Sequence, residues 1–170
     1  MNIKASGKTD QKTVKAMFHA GMGKLSLIGF LLSGLMIGFF IYESVRGGSG
    51  PYSAFWLVIA LPLLALTVFV HFFIPKLAYD RLGNYRDCRY DYEFRDELFT
   101  IRSSLEGEDA VGSRSYDSVA RVIETSEYFF IYQTANNALA VDKSTIEGGT
   151  AEDIRAKLAP GLGKSYVLRK

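Results

Sequence analysis

Two stretches of this chain carry no charged residue, and they restrict its fold more than anything else in the sequence. Residues 25–42 read LSLIGFLLSGLMIGFFIY and residues 52–74 read YSAFWLVIALPLLALTVFVHFFI. At about 1.5 Å rise per residue the first makes a helix of about 27 Å. That matches a hydrocarbon layer of about 30 Å, and the second is long enough to cross with some tilt. Each Leu, Ile, Phe or Val near the centre of such a helix favours insertion by about 0.3 to 0.6 kcal/mol, so the apolar majority outweighs the scattered Gly and Ser. The pattern predicts a transmembrane hairpin over residues 25–75, with helices at about 25–42 and 52–74.

The connector, ESVRGGSGP, is short and rich in turn residues, as a link between antiparallel helices should be. A hairpin returns the chain to the side it left, and the distribution of basic residues selects that side. Lys4, Lys8, Lys12, Lys15 and Lys24 precede the first apolar run, Lys76, Arg81, Arg86 and Arg89 follow the second, and the connector holds only Arg46. The positive-inside rule then places both termini in the cytoplasm, in a multi-pass protein of the cell inner membrane whose first partner is the lipid bilayer. The first run is longer than a signal-peptide core, starts far from residue 1 and is not followed by an Ala-x-Ala site, which argues against cleavage. Residues 1–24 read as a basic cytoplasmic leader. Within it KTVKAMFHAGM spaces Val14, Met17, Phe18 and Met22 at helical intervals, a pattern that suits the membrane surface or a frayed leader.

Inside the runs, Gly34 and Gly38 form a small-xxx-small pair, GLMIG, which lets helix backbones approach closely. Their partner can be the second span or another copy of the chain. Pro62 can kink the second helix, Trp56 suits an interfacial anchor, and His71 has no intramembrane acid beside it for proton transfer.

Residues 76–87, KLAYDRLGNYRD, read as a linker with mixed charge. From Cys88 the apolar period changes to two. Tyr90, Tyr92 and Phe94 alternate with charged residues, Phe99 and Ile101 continue the pattern, a third strand lies near Val111 to Ser115, and ARVIET follows. In YFFIYQT both parities are apolar, so that strand should be central and covered on both faces. Asn136 and Asn137 mark a turn before ALAVD. Thr150 with Asp153 resembles a capping box for a helix of about 151–159, which Pro160 ends. The expected fold class is a membrane protein of α+β type. A transmembrane hairpin is followed, over residues 88–170, by a small antiparallel β meander, a sandwich or partial barrel, with a C-terminal helix. That is a pleckstrin-homology-like outline.

The runs YEFRDELFTIRSS and RSYDSVARVIETSEYFFIYQTANNALAVDKSTI are similar to the C-terminal domain of the YcxB-like proteins. There a hairpin leads to a Tyr-Ser/Asp bend, a Val-x-Glu-Thr strand, an aromatic strand and a strand ending in lysine. Two transmembrane helices before the domain are also the family's layout. One departure is the Val141-Asp142-Lys143 ending, where the family more often has proline before the lysine. The resemblance implies this architecture and a pleckstrin-homology-like fold; it implies no reaction, cofactor or ligand.

Chemistry is sparse after residue 88. His19 and His71 both precede the domain and Cys88 is its only cysteine, so the residue types for a Cys/His zinc site or a His-activated nucleophile are missing. The carboxylates alternate with apolar residues or lie in turns, as on a solvated sheet face, and GLGK near the end lacks the length of a phosphate-binding loop. From Cys88 onward 11 basic residues face 14 acidic ones, the wrong balance for nucleic acid. The expectation is no enzyme and no cofactor. Two functions remain. One is a membrane-tethered binding or regulatory module for a cytosolic or membrane-protein partner, with Tyr116, Tyr128, Tyr132 and Lys143 as the candidate partner surface. The other is a structural, self-associating membrane protein or accessory subunit of a transport assembly, a homo-oligomer joined at Gly34 and Gly38.

Overall fold

The computed structural model describes residues 2–46, 51–105, 108–134 and 137–169, with the backbone alone at 51–53, 105, 108 and 109. The turn residue Asn136 and the connector glycines lie outside this set. The chain divides into two compact units, one of Met1–Ala20 with Tyr79–Lys170 and one of Gly21–Ala78.

The first unit is one mixed sheet of eight strands, curled into a half-barrel, with a helix on its inner face. Its strands are β1 (Ile3–Lys8), β2 (Arg89–Phe94), β3 (Leu98–Leu105), β4 (Glu108–Ser115), β5 (Arg121–Glu124), β6 (Tyr128–Thr134), β7 (Asn137–Glu147) and β8 (Tyr166–Leu168). They lie in the order β4-β3-β2-β1-β7-β6-β5-β8. All neighbours are antiparallel except β5 and β8, which run parallel. The antiparallel meander expected from the sequence is therefore corrected to a mixed sheet. The chain leaves β7 through helix α4 (Ala151–Leu158) before adding β8, and a helical crossover returns a strand parallel.

The larger departure is at the N-terminus. The segment read as a basic leader supplies β1, in the middle of the sheet, antiparallel to both β2 and β7. Ile3 and Ala5 are buried, while Lys4, Ser6 and Lys8 stand on the other face, so the segment has the period of two of a strand. At Gly7 the backbone of β7 comes so close that a Cβ would overlap the Ala140 carbonyl oxygen; only glycine fits. The pairing skips between Lys4↔Glu147 and Ser6↔Asp142, and at this bulge Thr145 Oγ1 accepts a hydrogen bond of 2.8 Å from the Ser6 amide.

The inner face gathers Ile3, Phe94, Phe99, Phe129, Ile131 and Val141 under Ile154 and Leu158 of α4. The helix starts as the sequence predicts, with Thr150 and Asp153 exchanging capping-box hydrogen bonds. On the outer face of β5 and β6, Ile123, Tyr128 and Phe130 pack against Ala16, Met17 and Ala20 of helix α1 (Gln11–Val45). Both parities of YFFIYQT are thus covered, as expected. Val14 and Met17, which suited a membrane surface in the sequence, are spent inside the protein.

The chain returns through α3 (Ile74–Asp80) and a 3-10 turn at Gly83–Tyr85, which take up most of the segment read as a linker. There the Asp87 amide donates to the Thr9 carbonyl and the Thr9 amide to the Cys88 carbonyl, both at 2.9 Å. Lys8 Nζ and the Tyr79 hydroxyl reach the Asp87 carboxylate at 3.1 and 2.9 Å. Hydrogen bonds from these two groups hold the Asp87 carboxyl below its ordinary value. This clasp ties together the two chain segments that flank the apolar hairpin.

The second unit is that hairpin: α1 from Gly21, α2 (Pro51–Val68), a π-helical turn at Phe69–Phe73, and the start of α3. Both helices are long and apolar enough to cross a membrane. Pro62 lies within α2. The helices meet at Gly29, where an added Cβ would stand 2.5 Å from Thr67 Oγ1, and at buried Ser33 and Ala60. Phe39 and Trp56 stack with ring centroids 5.5 Å apart. His71, in the π turn, has Nδ1 3.2 Å from Ser26 Oγ. The Ser26 hydroxyl also lies 3.1 Å from the Gly23 carbonyl.

Candidate functional site

The most unusual group of side chains surrounds Glu124, the last residue of β5, which has no accessible surface. A carboxylate removed from water is costly unless its lone pairs are filled. Here Lys143 Nζ of β7 donates to Oε1 at 2.7 Å, and Arg155 of α4 donates from Nη2 to Oε1 at 2.6 Å and from Nε to Oε2 at 2.8 Å. The Tyr166 hydroxyl of β8 donates to Oε2. Burial alone would raise the carboxyl, but the donors from Arg155, Lys143 and Tyr166 outweigh it and lower it to about 2. Burial, with the bond to Glu124, pushes the Tyr166 phenol up.

Each partner is placed by its own element. Lys143 lies on β7, with its ammonium 4.6 Å from the centre of the Phe129 ring and 2.6 Å from the Thr125 carbonyl. Arg155 sits one turn into α4, and Tyr166 opens β8 opposite Val122. One carboxylate thus joins β5, β7, β8 and α4. With both oxygens saturated and a lowered pKa it cannot serve as a general base near neutral pH; its chemistry is cohesion.

The second feature is a groove of about 510 Å³ on the polar face of β1, β2 and β3, reaching β7. Lys4, Arg89, Arg102, Asp91, Glu93 and Glu147 line it with Ser6, Thr100 and Thr145. The pleat alternation that sends Tyr92 and Phe94 into the core sends Asp91 and Glu93 here. Cross-strand register sets opposite charges side by side, Lys4 between Glu93 and Glu147, and Asp91 beside Arg102.

The four positions suggested as a partner surface lie in three separate places. Tyr128 is buried and Tyr132 half-buried beneath α1. Tyr116 packs on Phe99, donates a 2.7 Å hydrogen bond to the Arg95 carbonyl, and has its phenol pushed up to about 12, chiefly by burial. Lys143 belongs to the Glu124 cluster. Gly34 and Gly38 have open space where a side chain would stand, so among the described residues neither packs on the second helix. Sequence reasoning missed Glu124 as a centre, and with it Arg155 and Tyr166. The available signal was a glutamate directly after Val122 and Ile123 in RVIET, at the same strand parity as Val122.

Fold and site define the class: a small α+β protein whose curled sheet is interrupted, after its first strand, by an apolar helical hairpin. Residues 96–158 match the family model described as YcxB-like protein, so the likeness expected from the motifs is shown over β3 to α4. Glu124, Lys143 and Arg155 lie inside that segment, and Tyr166 lies beyond it. The description names no reaction, ligand or partner. No curated protein and no solved structure matches the chain.

Proposed function

We propose that this is an integral inner-membrane protein that holds a non-enzymatic, pleckstrin-homology-like module in the cytoplasm, where the charged groove binds a segment of a protein partner. The observation that carries the topology is the pairing of β1 with β2 and β7. Residues before the first apolar helix and after the last share one hydrogen-bonded sheet, so both flanks belong on one side of a bilayer. The excess of Lys and Arg on those flanks favours the cytoplasmic side. Leu25, Leu31, Val58, Leu61 and Leu66 are all exposed on the helices, and that much apolar surface is stable facing lipid and unstable facing water. A curled sheet whose β7 runs into a core-packed helix supports the pleckstrin-homology-like reading.

The test is a pair of reporters on the full-length protein, one at each terminus. Both are active only in the cytoplasm on this reading; periplasmic activity at either end overturns it. A photo-crosslinker at Thr100 in native membranes should label one discrete protein species. Recovery of nothing beyond the chain itself removes the partner.

A second reading, self-association through GLMIG, is favoured by the open faces of Gly34 and Gly38. Substituting both by Leu should then shrink the protein's size in mild detergent, and an unchanged size excludes it.

A further inference from the structure

The outer strand of the sheet, β4, pairs with β3 in unbroken register from Leu98↔Ser115 to Leu105↔Glu108, and no described strand pairs with its other side. An edge of this kind presents a row of backbone donors and acceptors, and folded proteins guard such rows with short strands, prolines, charged side chains (lysine above all) or bulges. The opposite edge, β8, is guarded by being three residues long. β4 is eight residues long, EDAVGSRS, without proline, lysine or bulge, and its charged residues are of both signs, so they oppose pairing only in registers that set like charges together. Val111 at its centre is 60% exposed, on the polar face opposite Arg102.

We propose that β4 is the interface strand of a homodimer, in which two copies of this chain pair their β4 strands antiparallel about a twofold axis at Val111. The strand begins with two acids and ends near an arginine. Antiparallel self-pairing centred on Val111 sets Val111 opposite itself, Ala110 opposite Gly112, and position 108, a glutamate, opposite position 114, an arginine. The charge pair occurs twice, once on each side of the axis, and residues opposite each other share a face as the pleat requires. Centring on Gly112 instead puts Ala110 against Arg114 and Val111 against Ser113, and both the charge match and the apolar contact are lost. The self-complementarity selects a second copy over an unrelated strand. The inference stands on the sheet alone and holds whether or not the hairpin crosses a bilayer.

Cysteine cross-linking of the full-length protein tests it, in membranes or mild detergent, with the buried Cys88 left in place. Directly paired antiparallel residues have Cα atoms about 4.5 to 5.5 Å apart, within disulfide range. Val111→Cys should give a disulfide-linked dimer on mild oxidation. Ser113→Cys should not, because its copy lies about 14 Å away along the strands. Adding Arg114→Glu to Val111→Cys should reduce the cross-link several-fold, and adding Glu108→Arg to that pair should restore it. No dimer from Val111→Cys, equal yields at both positions, or no rescue by the charge exchange would each overturn the proposal.

Discussion

Lys143 Nζ lies 2.7 Å from Oε1 of Glu124, joining the lysine at the end of one motif to the glutamate of another. The pair is asymmetric: Glu124 has no exposed surface, whereas the Lys143 and Arg155 side chains keep 17% and 39% of theirs. Removing a cation leaves a buried anion; removing the anion leaves cations that can turn to solvent. Arg155→Met, which takes away two donors, should therefore cost about 3 kcal/mol of stability. Glu124→Leu should cost less. Denaturation of the full chain in mild detergent checks the order, and equal losses would show that Glu124 does not organise the cluster.

The same cluster sets an acid limit. The folded carboxyl of Glu124, at about 2, lies below its ordinary 4.5, so the unfolded chain binds the proton more readily. The stabilisation is complete above about pH 4.5 and is lost as pH falls through that window toward about 2. Glu124→Gln removes the titrating group and should flatten the decline in melting temperature there. Asp87, Glu93, Asp96 and Asp153 are also lowered by their partners, so a shallower slope remains in the variant. Parallel curves for the two proteins would disprove the assignment.

β1 makes the N-terminal segment part of the fold. Gly7→Ala places a methyl group on the Ala140 carbonyl and should destabilise the sheet by about 3 kcal/mol or more, since backbone cannot yield as a side-chain tip does. Ile3→Asp should do comparable damage by putting a charge into the core. Limited proteolysis should then cut within β2 to β7, where the parent protein resists. An undisturbed digestion pattern would return residues 3–8 to the status of a leader.

What the sequence made legible, and what it hid, follows from how far apart the interacting residues lie. The apolar runs, the capping box and the doubly apolar strand are local patterns, visible in one window, and each appears in the fold. β1 also shows a period of two, Ile3, Ala5 and Gly7 alternating with Lys4, Ser6 and Lys8. Its partners, however, lie across the hairpin, Ile3 opposite Phe94, and six residues with two lysines read alone as a basic tail. Glu124 was hidden for the same reason: Lys143, Arg155 and Tyr166 come from three other elements, and nothing near residue 124 announces them. The register shift between β1 and β7, from Ser6↔Asp142 to Lys4↔Glu147, likewise leaves no local signature.

Glycine in the hairpin gives the last prediction, because its several copies are not equivalent. Gly29 faces Thr67, and a Cβ there would stand 2.5 Å from Oγ1 and 3.0 Å from Cγ2, while Gly34 and Gly38 meet nothing within 4 Å. Thr67 cannot easily turn aside, since its hydroxyl donates a 2.8 Å hydrogen bond to the Leu63 carbonyl. Gly29→Ala should therefore push the helices apart at a cost of about 1 to 3 kcal/mol, read as a lower unfolding temperature in detergent. Thr67→Ala removes both obstructing atoms, so the double variant should recover most of the loss. Gly34→Ala should leave the unfolding temperature of a monomeric hairpin unchanged. A loss at Gly34 equal to that at Gly29, or no recovery in the double variant, would contradict the packing of the two helices at Gly29 and Thr67.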